Sequence, residues 1–487
     1  MRVLVPPVLI VGAGPVGMVV AAELLQRDIP IRIIDADRGH ADHSRATSLW
    51  PRILELLDRI AVTDELICLA HRLDRVRYHS AGRHLGTVRL DALRGTPYPF
   101  GLALPQSVTE DVLERRLTEL DGKIERGVRL TGLRPDGDRV FAEVETGDGG
   151  GAGIEASWVV GADGAHSSVR SLLDVGFTGP EPSLDFAIGD ARISGGLPQH
   201  MAGYCWSPAG ALTLAALGDD VFRIAVQVTP DQKRTQYPAE YFEEVLHARG
   251  PRGRFSVGTV RFSTTFNAAI RTAEQYRVGR CFLVGDAAHV MSPIGGQGMN
   301  TGIQDAVNLG WKLAGVLDGT LPESVLDTYE AERGDILRRD VGIRIGALTG
   351  RLRKETALTL AQLSTTYADQ ETAVDRPLRP GDRVPAVIGR EKGGWLGLPV
   401  DRFTVLLWEP ERIAASDRDA IESALPEGVC CLTATAVQAP ALVGGLGRAP
   451  VVALIRPDGH LTAVLDPARA AAYFEKEKQE RLPRSAL

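Results

Sequence analysis

The chain has 487 residues, of which 44% are hydrophobic and 24% charged, a composition typical of a folded globular protein and not of a disordered one. Its length predicts roughly three domains of about 150 residues each. The 55 basic and 62 acidic residues leave a net charge of −7 with no Lys/Arg-rich block, which argues against nucleic acid or an anionic membrane as a partner.

The five cysteines predict neither a disulfide framework nor a metal site, because no Cys-x-x-Cys spacing occurs. Such usage is typical of the reducing cytoplasm, so we expect a cytoplasmic protein without a bound metal. The apolar residues 3–25 resemble a membrane span, but Pro6, Pro7 and three glycines favour a buried strand, a turn and a helix there. We therefore predict no membrane association.

Strands and helices alternate in the first part of the chain, and the first three of them make a βαβ unit. The predicted elements are a strand over 8–12, a helix over 15–27, a strand over 31–35, a helix from Pro51, a helix over 108–120 and short strands between 124 and 161. The period-2 alternation of the last stretch is that of half-buried strands.

Two further structural units follow. Residues 175–272 are mostly strand-like, which predicts an antiparallel sheet. A buried strand over 280–285 and a helix over 298–318 come next, and a helical region continues to about 366. The Pro/Gly-dense segment 376–385 has the character of an interdomain linker, and the strand patterns beyond it predict a small α/β domain.

The first glycine-rich motif, Gly12-Ala13-Gly14-Pro15-Val16-Gly17, lies between a predicted strand and helix. Its G-x-G-x-x-G spacing leaves room for a pyrophosphate beside free helix N–H groups. Asp35 ends the next strand, where a carboxylate accepts hydrogen bonds from ribose hydroxyls. The motif predicts dinucleotide binding and leaves FAD and NAD open; a tight structural turn is the alternative.

A second glycine-rich stretch, Gly295-Gly296-Gln297-Gly298-Met299-Asn300, opens the predicted helix after the strand and Asp286. Amides at a helix N-terminus stabilise the negative charge that appears on a reduced flavin. This stretch therefore favours FAD, although close helix packing also explains a glycine-rich loop. In a third stretch, VVGADGAHSSVR at 159–170, Asp163 by itself indicates a turn with a helix cap.

Taken together, these three stretches resemble the fingerprints of the single-component FAD-dependent aromatic hydroxylases of the p-hydroxybenzoate hydroxylase fold. The resemblance covers about residues 8–333 and includes Ser-Arg-Ala at 44–46 and TYEAER at 328–333. The linker and the IRPDG stretch at 455–459 resemble the extended subgroup with a C-terminal thioredoxin-like domain.

This resemblance implies an α/β fold, with a Rossmann-like FAD-binding domain in two parts, 1–174 and 273–375. An antiparallel-sheet substrate domain, 175–272, is inserted between them, and a thioredoxin-like domain occupies 376–487. The implied cofactor-binding residues are Gly12, Gly14, Pro15, Gly17 and Asp35 for the ADP half, Arg45 and Gln106 along the ribityl or pyrophosphate, Asp163 for FAD and transient NADPH docking, Asp286 for the ribityl chain, and Pro293, Gly295, Gly296, Gly298, Met299 and Asn300 around the isoalloxazine.

The implied activity is monooxygenation of an aromatic polyketide or phenolic compound through a flavin C4a-hydroperoxide, with NADPH or NADH and O2 as co-substrates. The resemblance assigns no side chain as a catalytic base, and it implies that His289 has a structural role around the flavin loop. Trp206 and Phe222 are candidate walls of a substrate pocket, although large aromatics in a sheet are more often core.

The same motifs also fit Baeyer–Villiger insertion, oxidative inactivation of an antibiotic, or a non-turnover flavoprotein that binds and protects a metabolite. A flavin halogenase and a disulfide reductase are disfavoured, because the sequence lacks both W-x-W-x-I-P and Cys-x-x-x-x-Cys. Assembly as a homodimer is left open.

Overall fold

The structure is a computed structural model that describes residues 6–39, 46–179, 184–268, 270–291, 295–334, 354–367, 377–385, 387–388 and 396–479. Within these ranges the fold is mixed α/β and contains a parallel, a largely antiparallel and a smaller mixed sheet. The helices are Pro15–Leu25, Pro51–Asp58, Thr63–Leu69, Gln106–Glu119, Ser168–Leu172, Ala239–Arg249, Gly298–Leu317, Lys354–Leu360, Ala415–Ala424, Val443–Leu446 and Pro467–Gln479.

The first sheet has six strands and forms the centre of the largest core. In spatial order the strands are Arg277–Val278, Cys281–Leu283, Trp158–Gly161, Val8–Val11, Ile31–Asp35 and Ile124–Arg126. All neighbours are parallel except the first pair. The strand Val8–Val11 is buried along its whole length, which explains its continuous apolar sequence.

Two helices cross closely beside this sheet. We call Pro15–Leu25 the first helix and Gly298–Leu317 the long helix. A Cβ added at Gly302 of the long helix would lie 2.7 Å from Val16 of the first helix. Only a residue without a side chain allows this approach, which brings the two helix N-termini to the same end of the sheet.

The second sheet has seven strands and covers a second core cluster. In spatial order the strands are Ser256–Ala268, Leu184–Ser194, Val221–Val228, Gly210–Gly218, Met201–Ser207, Arg75–Ser80 and Arg83–Arg89. The last two come from the region predicted to belong to the first part of the FAD-binding domain. Arg75–Ser80 pairs in parallel with Met201–Ser207, a long-range pairing that a local alternation pattern cannot reveal.

The C-terminal unit is a four-stranded sheet that also packs against the rest of the molecule. In spatial order its strands are Cys430–Ala434, Thr404–Trp408, Val451–Ile455 and Leu461–Leu465. The turn between the last two, residues 456–460, reaches the first part of the chain. Arg456 donates to both carboxylate oxygens of Glu332, at 2.7 and 3.0 Å, and the Trp311 indole donates to Asp458 at 3.3 Å.

Short strands complete the described fold. One three-stranded sheet consists of Gly151–Ala156, Arg139–Thr146 and Val128–Asp136, and a second consists of Phe177–Thr178, Arg271–Ala273 and His289–Val290. A third consists of Ser48–Leu49, Gly101–Ala103 and His71–Leu73, and Val387–Ile388 pairs with Leu396–Gly397. Of the helical region predicted to reach about 366, residues 335–353 lie outside the described ranges. No helix among the described residues is long and apolar enough to cross a membrane.

Candidate functional site

A cavity of about 310 Å³ lies between the two helix N-termini and one face of the seven-stranded sheet. Its residues come from the first glycine-rich turn, the second glycine-rich turn and the sheet. The lining includes Gly14, Pro15, Val16, Gln106, Gly164, Asp286, Gly296, Gln297, Gly298, Met299, Ile188, Ala202, Tyr204, Thr213, Ala215, Arg223, Ala225 and Phe266. The structure thus brings together Gly14 and Gly298, which are 284 positions apart in sequence.

The glycines of the first turn serve two different purposes. A Cβ at Gly12 would lie 2.4 Å from the Ala162 carbonyl oxygen, and one at Gly17 would lie 2.0 Å from the Gly12 carbonyl oxygen. These two positions are closed by backbone packing. A Cβ at Gly14 would have no protein atom within 4 Å, and Gly14 lines the cavity. Gly14 is therefore the position where a side chain would intrude on a ligand.

Asp35 holds the first turn in place from the neighbouring strand. Its carboxylate accepts a hydrogen bond from the Ala13 amide at 2.6 Å and another from the Asp37 amide at 2.8 Å. A carboxylate has further lone pairs, so these bonds leave room for ribose hydroxyls. The contact nevertheless shows a structural role that its motif position alone did not indicate.

The second turn is held by side chains instead of by backbone packing. The Asn300 side chain accepts from the Trp50 amide at 2.8 Å and donates to the Ser48 and Gly296 carbonyl oxygens, both at 2.7 Å. The Trp50 indole donates to the Gly295 carbonyl oxygen at 3.0 Å. Gly296 and Gly298 line the cavity, while the Asn300 side chain is buried and occupied by these contacts.

Both helix N-termini at the cavity lack a side-chain cap. The first helix begins with Pro15 and the long helix with Gly298, and both residues line the cavity. A Cβ at Gly298 would again have no protein atom within 4 Å. Uncapped amides beside open space suit a ligand with negative charge at two separate places. The pyrophosphate of FAD and its reduced ring meet this requirement, so the residues fit that cofactor.

Other predicted site residues take positions along the same cavity. Gln106 begins its helix and lines the cavity; its side chain accepts from the Ala46 amide at 3.1 Å and donates to Glu110 at 2.7 Å. Asp286 lies in the short 3-10 turn Gly285–Ala287 and also lines the cavity. Arg45 and Pro293 lie outside the described residues.

Asp163 caps the helix Ser168–Leu172. Its carboxylate accepts from the Ser167 hydroxyl at 2.5 Å and from the Ser168 and Val169 amides at 2.7 and 3.1 Å. Burial raises the pKa of Asp163, and these three donors oppose that shift. The cap that the sequence indicated is present, and a contact of Asp163 with FAD or NADPH stays a prediction.

His289 belongs to a buried polar cluster behind the second turn. Its Nε2 lies 2.5 Å from Asp305, whose other oxygen accepts from Arg333 at 2.7 Å. Burial alone would raise the pKa of Asp305, but His289 and Arg333 together lower it. His289 is not among the residues that line the cavity, so its geometry agrees with the structural role implied by the resemblance.

Arg223, which was not predicted from the sequence, places a buried guanidinium on the sheet side of the cavity. It forms a bidentate pair with Asp190 and donates to the Thr47 hydroxyl at 2.9 Å. A charged residue within the apolar strand VFRIAVQV was the available signal, because buried charges are rare unless they are paired or functional. Phe222 is core, and Trp206, like Phe222, does not line the cavity.

Comparison with known proteins gives a consistent result. A family model described as an FAD binding domain matches residues 6–341. The 6-methylpretetramide 4-monooxygenase of Streptomyces rimosus is 37% identical over 338 residues, which make up 67% of this chain and 59% of that protein. The chain therefore spans less than two thirds of that relative's length.

Two further similarities extend over nearly the whole chain. A protein named flavin-dependent monooxygenase, from Mycobacteroides abscessus, is 30% identical over 496 residues, covering 96% of this chain and 98% of that protein. A solved ternary complex of aklavinone-11 hydroxylase with FAD and aklavinone superposes with a TM-score of 0.78 at 25% identity, covering 99% of this chain and 100% of that one.

Proposed function

Because the chain belongs to the FAD-binding-domain family that matches residues 6–341, we propose that it is an FAD-dependent monooxygenase that hydroxylates an aromatic polyketide or phenolic compound. The observation that carries this proposal is the single continuous cavity, which has uncapped helix N-termini at one end and an apolar sheet with a buried arginine at the other. The names of the relatives support the same reaction class.

FAD would lie along the two glycine-rich turns. Gly14 and the amides of the first helix would meet its pyrophosphate, Asp35 the ribose, and Asp286 the ribityl chain. Residues 296–299 would meet the ring. When bound, FAD supplies the redox chemistry of the reaction, with NADPH as the source of two electrons and O2 as the source of the inserted oxygen atom.

The sheet face opposite the second turn favours a flat, polycyclic substrate. Tyr204, Thr213, Ala225 and Ile188 pair side by side across four strands, so they point to the same face. Small side chains thus occupy the middle of this floor, with Tyr204 at one side. Phe266 lines the other side of the cavity. A substrate site with this lining is wide and shallow, so it suits a compound with fused rings better than a single phenol.

Arg223 would orient the substrate on this floor. It occupies the row next to Thr213 and Ala225, and Asp190 and Thr47 fix its guanidinium. A fixed cation at the edge of this apolar surface would donate a hydrogen bond to a phenolic or ketone oxygen and so place one carbon of the substrate beside the ring of FAD. The surrounding apolar residues would exclude water from the reacting atoms.

The test is aerobic NADPH oxidation by the FAD-loaded protein with a panel of polycyclic aromatic ketones and simple phenols, with hydrogen peroxide measured in parallel. We expect one polycyclic compound to accelerate oxidation with little peroxide released. Its product should contain one atom from labelled O2, with the other atom leaving as water. Arg223→Met should raise the KM for this compound and the fraction of NADPH lost to peroxide.

Other outcomes distinguish the alternatives. A ring-expanded lactone as product would indicate Baeyer–Villiger insertion, and loss of activity of an antibiotic substrate would indicate inactivation. A flavin that NADPH never reduces, with any compound, would contradict the monooxygenase proposal. It would favour a protein that binds and protects a metabolite.

Several finer features belong to the same proposal. The predicted domain boundaries stay predictions, as do the homodimer and the individual FAD contacts. For the C-terminal unit we propose a thioredoxin-like domain, supported by its strand order and by the helix Ala415–Ala424 between its two parallel strands. The two cysteines of this unit, Cys430 and Cys431, are adjacent and form no Cys-x-x-Cys spacing, which supports a structural role for the unit over disulfide chemistry. The five free cysteines of the chain support a cytoplasmic location.

A further inference from the structure

The segment 354–367 supports the second glycine-rich turn from behind. It lies beyond the residues matched by the family model, and Leu360, Ala361 and Leu363 pack into the core of the seven-stranded sheet. The Ala361 carbonyl oxygen also accepts from the Arg52 amide at 3.1 Å. The segment therefore touches both the sheet that forms the cavity floor and the residues that follow Trp50.

Three buried glutamine side chains connect this segment to the cavity. Gln304 donates to the Gln362 side-chain oxygen at 2.9 Å. The Gln362 amide nitrogen donates to the Gln297 side-chain oxygen, and also to the Thr301 hydroxyl at 3.4 Å. Gln297 donates to the carbonyl oxygens of Gly295 at 3.2 Å and Leu360 at 3.3 Å. Each amide thus orients the next one, from the long helix to the cavity wall.

Gln362 adopts a backbone conformation that is unfavourable for its residue type. Its φ is +57°, in the left-handed region, while its side chain is 5% exposed. The left-handed conformation is unfavourable for a residue that carries a side chain, and such residues persist where the surrounding structure holds them. Here the unusual backbone places the amide between Gln304 and Gln297, and both bonds need that position.

We propose that Gln362 is a positioning residue for the FAD site, acting through Gln297. Gln297 lines the cavity at the N-terminus of the long helix. The Gly295 carbonyl oxygen receives N–H donors from both Gln297 and Trp50, so the turn has one orientation only when both donors are fixed. This inference rests on the proposed placement of the FAD ring beside residues 296–299.

The physical consequence is preorganisation of the turn before the cofactor arrives. A turn held in one orientation presents its amides to the ring without further reorganisation, and such groups stabilise developing charge best. If Gln362 loses its amide, Gln297 loses the donor that fixes its oxygen, and the turn samples more orientations. The FAD ring would then be held less tightly, and its reduced form would be stabilised less.

The experiment compares Gln362→Met with Gln362→Gly in the full-length chain. Met keeps the length and removes the amide, while Gly removes the amide and also relieves the left-handed strain, which protects against misfolding. Amide hydrogen exchange is first measured without FAD. We expect exchange of the Thr301 amide, which donates to the Gln297 carbonyl oxygen at 2.8 Å, to accelerate about tenfold in both variants, as for loss of one buried hydrogen bond, with residues 12–17 unchanged.

The second measurement is the reduction potential and the dissociation constant of FAD in the same variants. We expect a lower potential and weaker binding in both, and no further change when Gln362→Met is added to Gln297→Met, because Gln362 acts through Gln297. Unchanged exchange of the Thr301 amide would overturn the proposal. Faster exchange with an unchanged potential and affinity would also overturn the role toward FAD. Failure of the wild-type chain to retain FAD would instead contradict the proposed function itself.

Discussion

The two glycine-rich turns end at the same cavity but are stabilised in opposite ways. The turn at 12–17 is closed by its own backbone, since side chains at Gly12 or Gly17 would overlap carbonyl oxygens. The turn at 295–300 has open space at Gly298 and takes its shape from Trp50, Asn300 and Gln362. A turn of the first kind is encoded locally, while one of the second kind depends on residues from elsewhere in the chain.

The largest expected effect comes from a matched pair in the first turn. Gly17→Ala should lower the free energy of unfolding by about 3 kcal/mol or more, because its Cβ would meet the Gly12 carbonyl oxygen at 2.0 Å. Gly14→Ala should leave unfolding nearly unchanged, since its φ is −72° and space is open, but should weaken FAD binding. Urea unfolding and FAD titration separate the two effects. Equal unfolding curves for both variants would contradict the distinction.

A smaller effect is expected from the side chain that holds the second turn. Asn300→Leu should lower the free energy of unfolding by about 3 kcal/mol, roughly 1 kcal/mol for each of the three groups that lose their partner, namely the Ser48 and Gly296 carbonyls and the Trp50 amide. It should also weaken FAD binding. Gln236→Leu, at an exposed position, is the control, and a similar loss there would refute the explanation.

The free energy of unfolding should depend on pH through the turn 456–460, where the C-terminal unit contacts the long helix. Burial lowers the pKa of His460 to about 4, with Asp458 opposing this shift and Arg52 and Arg456 adding to it. The unfolded chain takes up a proton below about pH 6.5, while the folded chain resists until about pH 4. Stability should therefore fall as the pH drops through this window, by up to about 1.4 kcal/mol per pH unit.

Urea unfolding between pH 7 and pH 5 checks this dependence. His460→Phe keeps a ring beside Tyr367 and removes the titrating group, so its stability should change less across this range than that of the wild type. His166→Gln, at an exposed histidine, should retain the wild-type slope. A slope that His460→Phe leaves unaltered would assign the acid sensitivity to other groups.

The smallest effect should come from Gly296→Ala. Gly296 has a φ of +60°, so alanine there should lower the free energy of unfolding by about 1 kcal/mol. Gly137→Ala is the control, because Gly137 has a φ of +62° with no atom within 4 Å of its Cβ. Gly296→Ala should lose at least as much stability as Gly137→Ala, because its Cβ would also lie 3.3 Å from the Ser48 Cβ, but only Gly296→Ala should weaken FAD binding. FAD titrations that do not differ would remove Gly296 from the site.

Much of this organisation could be predicted from the sequence. The G-x-G-x-x-G turn, Asp35 and the helix after Gly298 lie where their local patterns indicate. The prediction of a bound FAD in an FAD-binding family is confirmed by the match over residues 6–341. Local patterns suffice here because a buried parallel strand followed by glycines and a helix has few alternative folds.

Other features required the tertiary structure. Arg223 and Gln362 have no motif, and their importance appears only when Arg223 pairs with Asp190 and Thr47 beside the cavity and segment 354–367 reaches the second turn. By itself, the sequence determined the cofactor family and the two turns, since these depend on backbone geometry within a few residues. The tertiary structure decided which side chains form the cavity floor and hold the second turn, because those contacts join residues separated by 65 to 252 positions.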